Sequence, residues 1–422
     1  MKSRFFLTLL AALCIHATAT AQNVGINTTT PDASAMLDVQ SSDKGVLVPR
    51  MTSAQRIAIT SPATGLMVYD SDTQSFWFYH NVAGWVNSLS SMSGWTTNGN
   101  VTTGTEFIGT TNDQSLTFKV NNTLAGKIEN TGNNTMLGYS SGQSISTGTQ
   151  NSGFGYESLY QTTTGEGNAA VGHRSLYANS TGSNNSALGI NAMISNTVGI
   201  NNTAVGVNAL YNNTDGNYNV GLGAIALLSN TSGSGNVAVG EGAAYNNTTG
   251  NNNVALGSGS LYSNRANSRT TALGRRAMEN ADDRTSGVET FNTAVGYEAL
   301  RGSTTPTNNT GTQNTAVGDR ALFANTSGNL NTAVGTNVLT TNSTGNENTG
   351  IGSDALRLTT TGTFNTAVGK SALEANTTGS ENTAIGRYSM YSNTTGDDNT
   401  AVGKEALHKN LTGSFNAVFG AI

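Results

Sequence analysis

NTAVGKSALEANTTGSE occupies residues 365–381, and the next two blocks of 17 read NTAIGRYSMYSNTTGDD and NTAVGKEALHKNLTGSF. Counting outward from the glycine of each A-V-G triplet, an equivalent glycine stands at seventeen positions from Gly138 to Gly420. Fourteen of the sixteen spacings are 17 residues and two are 22, so every copy falls in one frame. A fixed period of this kind marks stacked units, none of which can bury its apolar face alone.

The columns of the repeat carry the physics. The residue before the glycine is apolar in all seventeen copies, as in Val205, Leu222 and Ile351, and the one before that is small, usually alanine (Ala204, Ala238, Ala367). Asparagine stands four before the glycine in sixteen copies, with Thr270 the exception. Leucine or methionine usually follows four after it, as in Leu210 and Met390, and a second glycine ten after it, as in Gly182 and Gly379. N-T-A-V-G alternates with period two, so the Val and Ala columns face opposite ways. Glycine-rich corners supply positive φ, and a second short strand holds the Leu column. β-Branched residues, Asn and two Gly per unit oppose a helix. The reading is all-β: a parallel β-roll, or β-solenoid, of 17-residue coils.

At about 4.8 Å per step the rod is roughly 75–80 Å long. Asn202, Val205 and Gly206, with Asn331, Val334 and Gly335 and with Asn365, Val368 and Gly369, exemplify the structural columns. Stacked Asn amides hydrogen-bond from copy to copy, an internal ladder rather than glycan sites. Val stacks on Val and Leu on Leu in the core. The Ala column, opposite the core, then marks close approach by a second chain.

Ahead of the repeat the texture changes. Lys2 and Arg4, the apolar run Phe5 to Ile15 and Ala19-Thr20-Ala21 read as a secretory signal peptide over residues 1–21. Cys14, the only cysteine, lies inside it, so the mature chain has no thiol. Residues 22–90 form a small, mainly β N-terminal module. It has a short helix from Thr52 to Ile59 with Thr52 and Gln55 in capping-box spacing, a hairpin of residues 66–70 and 75–80, and a third strand through Trp85 and Val86. The three tryptophans, Trp77, Trp85 and Trp95, pack this region. Residues 91–133 form a β-rich connector, with three short strands in 106–130, and residues 134–422 form the rod.

The chain offers little chemistry. Only 11 % of residues are charged, and loss of Lys2 and Arg4 takes the formal charge from −5 to −7, which argues against nucleic acid. No later stretch is apolar enough for a transmembrane helix. His80, His173 and His408 sit in unrelated contexts, and no catalytic, cofactor or metal motif stands out. The expectation is no enzyme, no cofactor and no metal. Two features remain as candidate binding sites. Tyrosine recurs five after the glycine, at Tyr160, Tyr177, Tyr211, Tyr245, Tyr262 and Tyr391, with Phe323 in register; such rings cover a coil edge or meet a sugar or protein partner. The two five-residue expansions, within 275–291 and 297–313, read as loops; RRAMENADDRTSG (275–287), in the first, carries the rod's densest charge, and Asp282-Asp283 reads as an isolated acidic pair.

The N-x-A-[VI]-G core of the 17-residue unit resembles the head repeats of trimeric autotransporter adhesins. The leader VGINTTTPDASAMLDVQSSDKGVLVPRM…GLMVYDSDT is similar to modules ahead of such repeats in bacterial surface and tail-fibre-like proteins. The resemblance implies a homotrimer wound about one axis, secreted or held at the cell surface or outer membrane. It implies a structural, adhesin-like role toward a host or matrix glycan or protein. The alternatives are a tail-fibre-like spacer or receptor-binding fibre, and an ice- or surface-binding β-solenoid. The last needs two Thr columns on one strand, and here the Thr column alternates with Val and lapses at Ala169, Val220, Val237 and Val254.

Overall fold

A computed structural model describes residues 23–88 and 108–421. The expected signal peptide (1–21), Trp95 and residues 91–107 of the expected connector lie outside the described residues. The chain divides into two compact units, up to residue 108 and from 109 onward.

In the first unit, β1 (Val24–Ile26) pairs parallel with β2 (Leu37–Val39). A separate four-stranded sheet runs β3 (Arg50–Met51), β4 (Met67–Asp70), β5 (Ser75–His80), β6 (Gly84–Asn87), parallel at its first pair and antiparallel thereafter. The helix α1 (Ser53–Ile57), the single α-helix among the described residues, starts where the capping box places it: Thr52 Oγ1 accepts from Gln55 N, and Gln55 Oε1 accepts from Thr52 N at 2.9 Å. The expected hairpin and third strand are both present. The interior is meagre: Val68 is the one buried apolar side chain among the described residues of this unit.

In the second unit a hairpin of β7 (Leu116–Val120) and β8 (Thr123–Glu129) leads into β9 (Asn134–Leu137), antiparallel to β8. Among the described residues of the range 106–130 there are two strands rather than the three expected, the third being the first coil's own. From β9 onward every pairing is parallel. Strands β10 (Ser152–Phe154) to β25 (Ala417–Phe419) contribute one three-residue rung per coil, making with β9 a ladder of 17 rungs. Val205 pairs with Leu222, and Leu222 with Val239, one lap per unit. The two longer units keep the register, since Thr271 still meets Thr293 and Thr293 meets Thr315.

The polarity of the strand is the reverse of the sequence reading. Ala204, Ala238 and Ala367 have no exposed surface, whereas Val205 is 37 % exposed. The alanines face the Leu column, and a second buried small-residue column runs three after the glycine through Ala209, Ala226 and Ala243. The reason is volume. A 17-residue lap encloses so little space that Leu210 and its neighbours fill it, leaving room for only a methyl group on the strand opposite. Even at Gly221, an added Cβ would stand 3.3 Å from Leu210 Cγ.

The Leu column, moreover, does not lie in a second strand. It sits in a run of turns, where Asn208 and Leu210 both take left-handed φ, +56° and +51°. Side chains rarely adopt this conformation. Here it is held by hydrogen bonds along the axis, Leu210 N to Ala226 O at 2.9 Å and Asn208 N to Ile190 O at 3.0 Å. Each coil thus rests on its neighbours through turns as well as strands.

Glycine is needed mainly for space. Gly206 has φ +132°, and an added Cβ would stand 2.5 Å from Gly223 O in the next coil. Gly379, whose φ is not positive, has no room because the Cβ would meet both Asn376 Oδ1 and Gly396 O at 2.5 Å.

Candidate functional site

The rod has an inner polar system and several outer faces. The inner system is the Asn column. Asn202 is fully buried; its backbone N–H and its Nδ2 both donate to Asn185 Oδ1, at 3.0 and 3.1 Å, and Nδ2 also donates to Gly216 O at 2.8 Å. Asn331 and Asn365 repeat the pattern on Asn314 and Asn348. At the first rung Glu129 Oε2 accepts Asn134 Nδ2 at 2.9 Å. That bond, with the Lys127 ammonium, holds the Glu129 carboxyl below its usual range against the opposing effect of burial.

A second ladder went unnoticed in the sequence. It lies seven after the column glycine, where Asn196 donates to Asn179, Asn213 to Asn196 and Asn230 to Asn213, each at 2.7 Å. Its signal was available as an Asn three before the second glycine of most units. It breaks where Thr162 and Thr359 replace Asn, and again at the expanded coils. At these breaks the Thr162 and Thr359 hydroxyls and the Asn264 and Asn342 Oδ1 atoms have no hydrogen-bond partner.

The outer face of the strands carries two columns, a mostly Thr one at the first strand position and an apolar one at the last. Phe154, Val171, Leu188, Val205, Val334 and Ile351 are exposed large side chains in one line. None of the strands β9–β25 contains a charged residue.

The Tyr column forms pairs rather than one track. Tyr160 stacks on Tyr177 with centroids 5.1 Å apart, Tyr245 on Tyr262 at 4.9 Å, and Tyr391 on His408 at 5.2 Å. Tyr211 has Ile194 and Leu228 as its column neighbours. Stacked rings spend their faces on one another, so edges and hydroxyls are what they offer outward. A second aromatic track, Tyr139, Tyr156 and His173, follows the column glycine at the first three coils.

At the expanded coils the charges form a ladder. Glu298, nearly buried, faces Arg276, Arg301 and Arg320 at 3.5–3.8 Å, and Arg301 Nε donates to Glu279 at 2.7 Å. The Arg320 guanidinium lies 4.3 Å over Phe323. Asp282 is not an isolated surface charge: it is buried and takes Arg284 at 2.7 Å. Between Asn264 and Asn325 a cavity of about 30 Å³ fills the gap in the second Asn ladder. Among the described residues no cluster of three His, Cys, Asp or Glu could hold a metal ion. No helix there is long and apolar enough to cross a membrane.

In the first unit the notable group is a buried ion pair. Arg56 Nε donates to Asp70 Oδ2 at 2.9 Å, and its guanidinium lies 3.7 Å over the Trp77 ring and 5.6 Å from Trp85. Burial pushes the Asp70 carboxyl up, but hydrogen bonds from Arg56, Ser53 and the Thr73 and Asp72 amides outweigh it, holding the group well below the usual carboxylate range. Elsewhere among the described residues of this unit Leu47, Ile57, Met67 and Phe76 are all exposed. So much uncovered apolar surface on so small a core is what an element built to associate displays.

Residues 25–103 match the family model described as a phage tail-like trimerisation region. No curated protein and no solved structure matches the chain. The matched region supports a homotrimer, and with the solenoid it makes this a fibre-like structural chain.

Proposed function

We propose that this chain is an exported, non-enzymatic fibre protein. In this reading it forms a homotrimer that presents a β-solenoid rod at the cell surface or outer membrane, for adhesion to a host or matrix glycan or protein. The observation that carries the reading is the pairing of a match to a trimerisation region at 25–103 with a 17-rung parallel ladder. The head-type repeat of trimeric autotransporter adhesins is the finer identity this supports. A tail-fibre-like spacer or receptor-binding fibre is the second reading, favoured by the description of the matched region itself.

The test has two parts. Light scattering on residues 22–422 should give three times the chain mass; a monomer would remove the basis of the proposal. An array of glycans and matrix proteins should then show saturable binding that is lost on deleting 301–313. Binding to none of them would leave the adhesive role unsupported and favour the spacer.

A further inference from the structure

We infer that the stacked tyrosines of the rod are oxidative cross-linking sites: a one-electron oxidant joins Tyr160 to Tyr177, and Tyr245 to Tyr262, as dityrosine, and so staples one coil covalently to the next. This goes beyond the proposed function and does not depend on it.

Geometry carries it first. Of the 13 tyrosines, Tyr160–Tyr177, Tyr245–Tyr262 and Tyr139–Tyr156 stand in pairs 17 residues apart, their rings parallel to within 3–9° and their centroids 4.9–5.8 Å apart. Coils repeat by translation along the axis, so like atoms of the two rings are separated by about the centroid distance. The ring carbons beside the two hydroxyls therefore face their counterparts, and side-chain rotation at the surface closes the remaining gap. None of the six rings is buried, so a small oxidant reaches them. Other tyrosines lack such a neighbour: one coil away from Tyr211 stand Ile194 and Leu228, and one coil away from Tyr218 stand Asn201 and Gly235.

Placement carries it second. Tyr160–Tyr177 spans a step at which the second Asn ladder fails. There the Thr162 hydroxyl has no partner, and Asn179 Nδ2 donates only to Gly182 O. The same surface column carries Arg357–Glu374 at 2.7 Å across the step from Thr359 to Asn376, and Arg301–Glu279 at 2.7 Å across the expanded coils. At all three of these breaks the column supplies a contact between coils, and at Tyr160–Tyr177 that contact has the chemistry to become permanent. The described residues contain no cysteine, so no disulfide can tie these coils.

Each phenol gives up one electron and one proton. The two phenoxyl radicals form one carbon–carbon bond between the positions ortho to oxygen, and the hydrogens displaced there restore both hydroxyls. Hydrogen peroxide acting through a peroxidase takes up the two electrons and two protons as water; persulfate takes the electrons as sulfate and leaves the protons in solution. Stacking makes the coupling a unimolecular step that competes with encounter between chains.

The test irradiates dilute, native residues 22–422 with ruthenium tris-bipyridine and persulfate. The product is run on a denaturing gel, digested to short peptides and read by mass spectrometry. The linked pair Tyr160–Tyr177, lighter than its two peptides by two hydrogen atoms, and the pair Tyr245–Tyr262 should each exceed any link to Tyr211 or Tyr218 by roughly tenfold or more, in chains that keep single-chain mass. Oxidation in guanidinium should erase that preference. Tyr160→Phe and Tyr177→Phe preserve ring volume; each should abolish the first link and leave Tyr245–Tyr262, whose yield reports that the rod is folded. Absence of the Tyr160–Tyr177 link, or a yield no higher than links to Tyr211, overturns the inference. Dityrosine that mainly joins separate chains into dimers overturns it equally.

Discussion

Replacing Asn365 with alanine should open the rod locally, and replacing Asn376 should do so far less, although both asparagines are fully buried in ladders of the same coil. Asn365 Oδ1 accepts both the backbone N–H and the Nδ2 of Asn382, each at 3.1 Å, and its own Nδ2 reaches Asn348 Oδ1 at 3.0 Å and Gly379 O at 2.9 Å. Truncation strands the Asn382 backbone N–H and one hydrogen of its amide inside the rod. Asn382 Nδ2 keeps Gly396 O, and Gly379 O keeps Asn376 Nδ2. One orphaned buried donor costs about 1–3 kcal/mol, so with the second, partial loss we expect roughly 2–4 kcal/mol. Asn376 accepts only Asn393 Nδ2 and donates to Gly379 O, so its truncation strands no backbone group and should cost about 1 kcal/mol. In a quasi-one-dimensional array the loss stays near the damaged interface. Hydrogen exchange read by mass spectrometry on peptides spanning 374–390 should therefore accelerate roughly 30- to 700-fold in Asn365→Ala and about fivefold in Asn376→Ala. Equal acceleration in the two variants would refute the idea that the first ladder is special because it holds a main-chain amide in every coil.

Thr359 interrupts the second ladder without an insertion, leaving its own hydroxyl and Asn342 Oδ1 unpartnered. Thr359→Asn should reconnect Asn342 to Asn376 and stabilise those coils by about 1–2 kcal/mol, read as slower exchange across 340–378. Gly206→Ala should cost roughly 3 kcal/mol or more, because φ +132° is strained for alanine and the new Cβ meets the backbone of the next coil at 2.5 Å; denaturant titration of the rod checks it. In the leader, the Asp70 carboxyl has a lowered folded-state pKa, so its stabilising effect is present above the unfolded value of about 3.9 and is lost as pH falls through the lower folded one. Acid titration followed by tryptophan fluorescence should show the Trp77–Trp85 environment giving way below about pH 4, and Asp70→Asn should flatten that dependence.

The period was fully legible because repetition is itself the structural instruction: equal spacing sets one lap, and the Asn column announces its own ladder. The short helix and hairpin of the leader were legible for a local reason, since Thr52, Gln55 and the turn between 70 and 75 act within a few residues. What alternation cannot tell is which side of a strand is inside. Val205 and Ala204 are both compatible with an interior, and the decision lies in the area enclosed by 17 residues, a global quantity. The small column at Ala209, Ala226 and Ala243, directly before the Leu column, was the available clue, since two adjacent columns confined to small and then large apolar residues mark a tightly filled lumen. The Leu turns were illegible because propensity assigns left-handed φ to Gly and Asn, and here axial hydrogen bonds override it. The charge ladder at Arg276, Glu298 and Arg320 becomes readable only when the 22-residue units are aligned on their glycines, which brings one position of three coils together.

Reversal of the strand also moves the argument for a partner. Had alanine faced outward, close approach would have been the reason to invoke a second chain; with alanine inside, that reason disappears. A lumen constrains only the residues that enter it, so the outward position before each glycine is as free to vary as the positions just after it, where Glu241, Asp319 and Lys404 stand. That it is apolar in all seventeen coils, beside a Thr column on the same face, is a property of the outer surface that the filled interior does not explain.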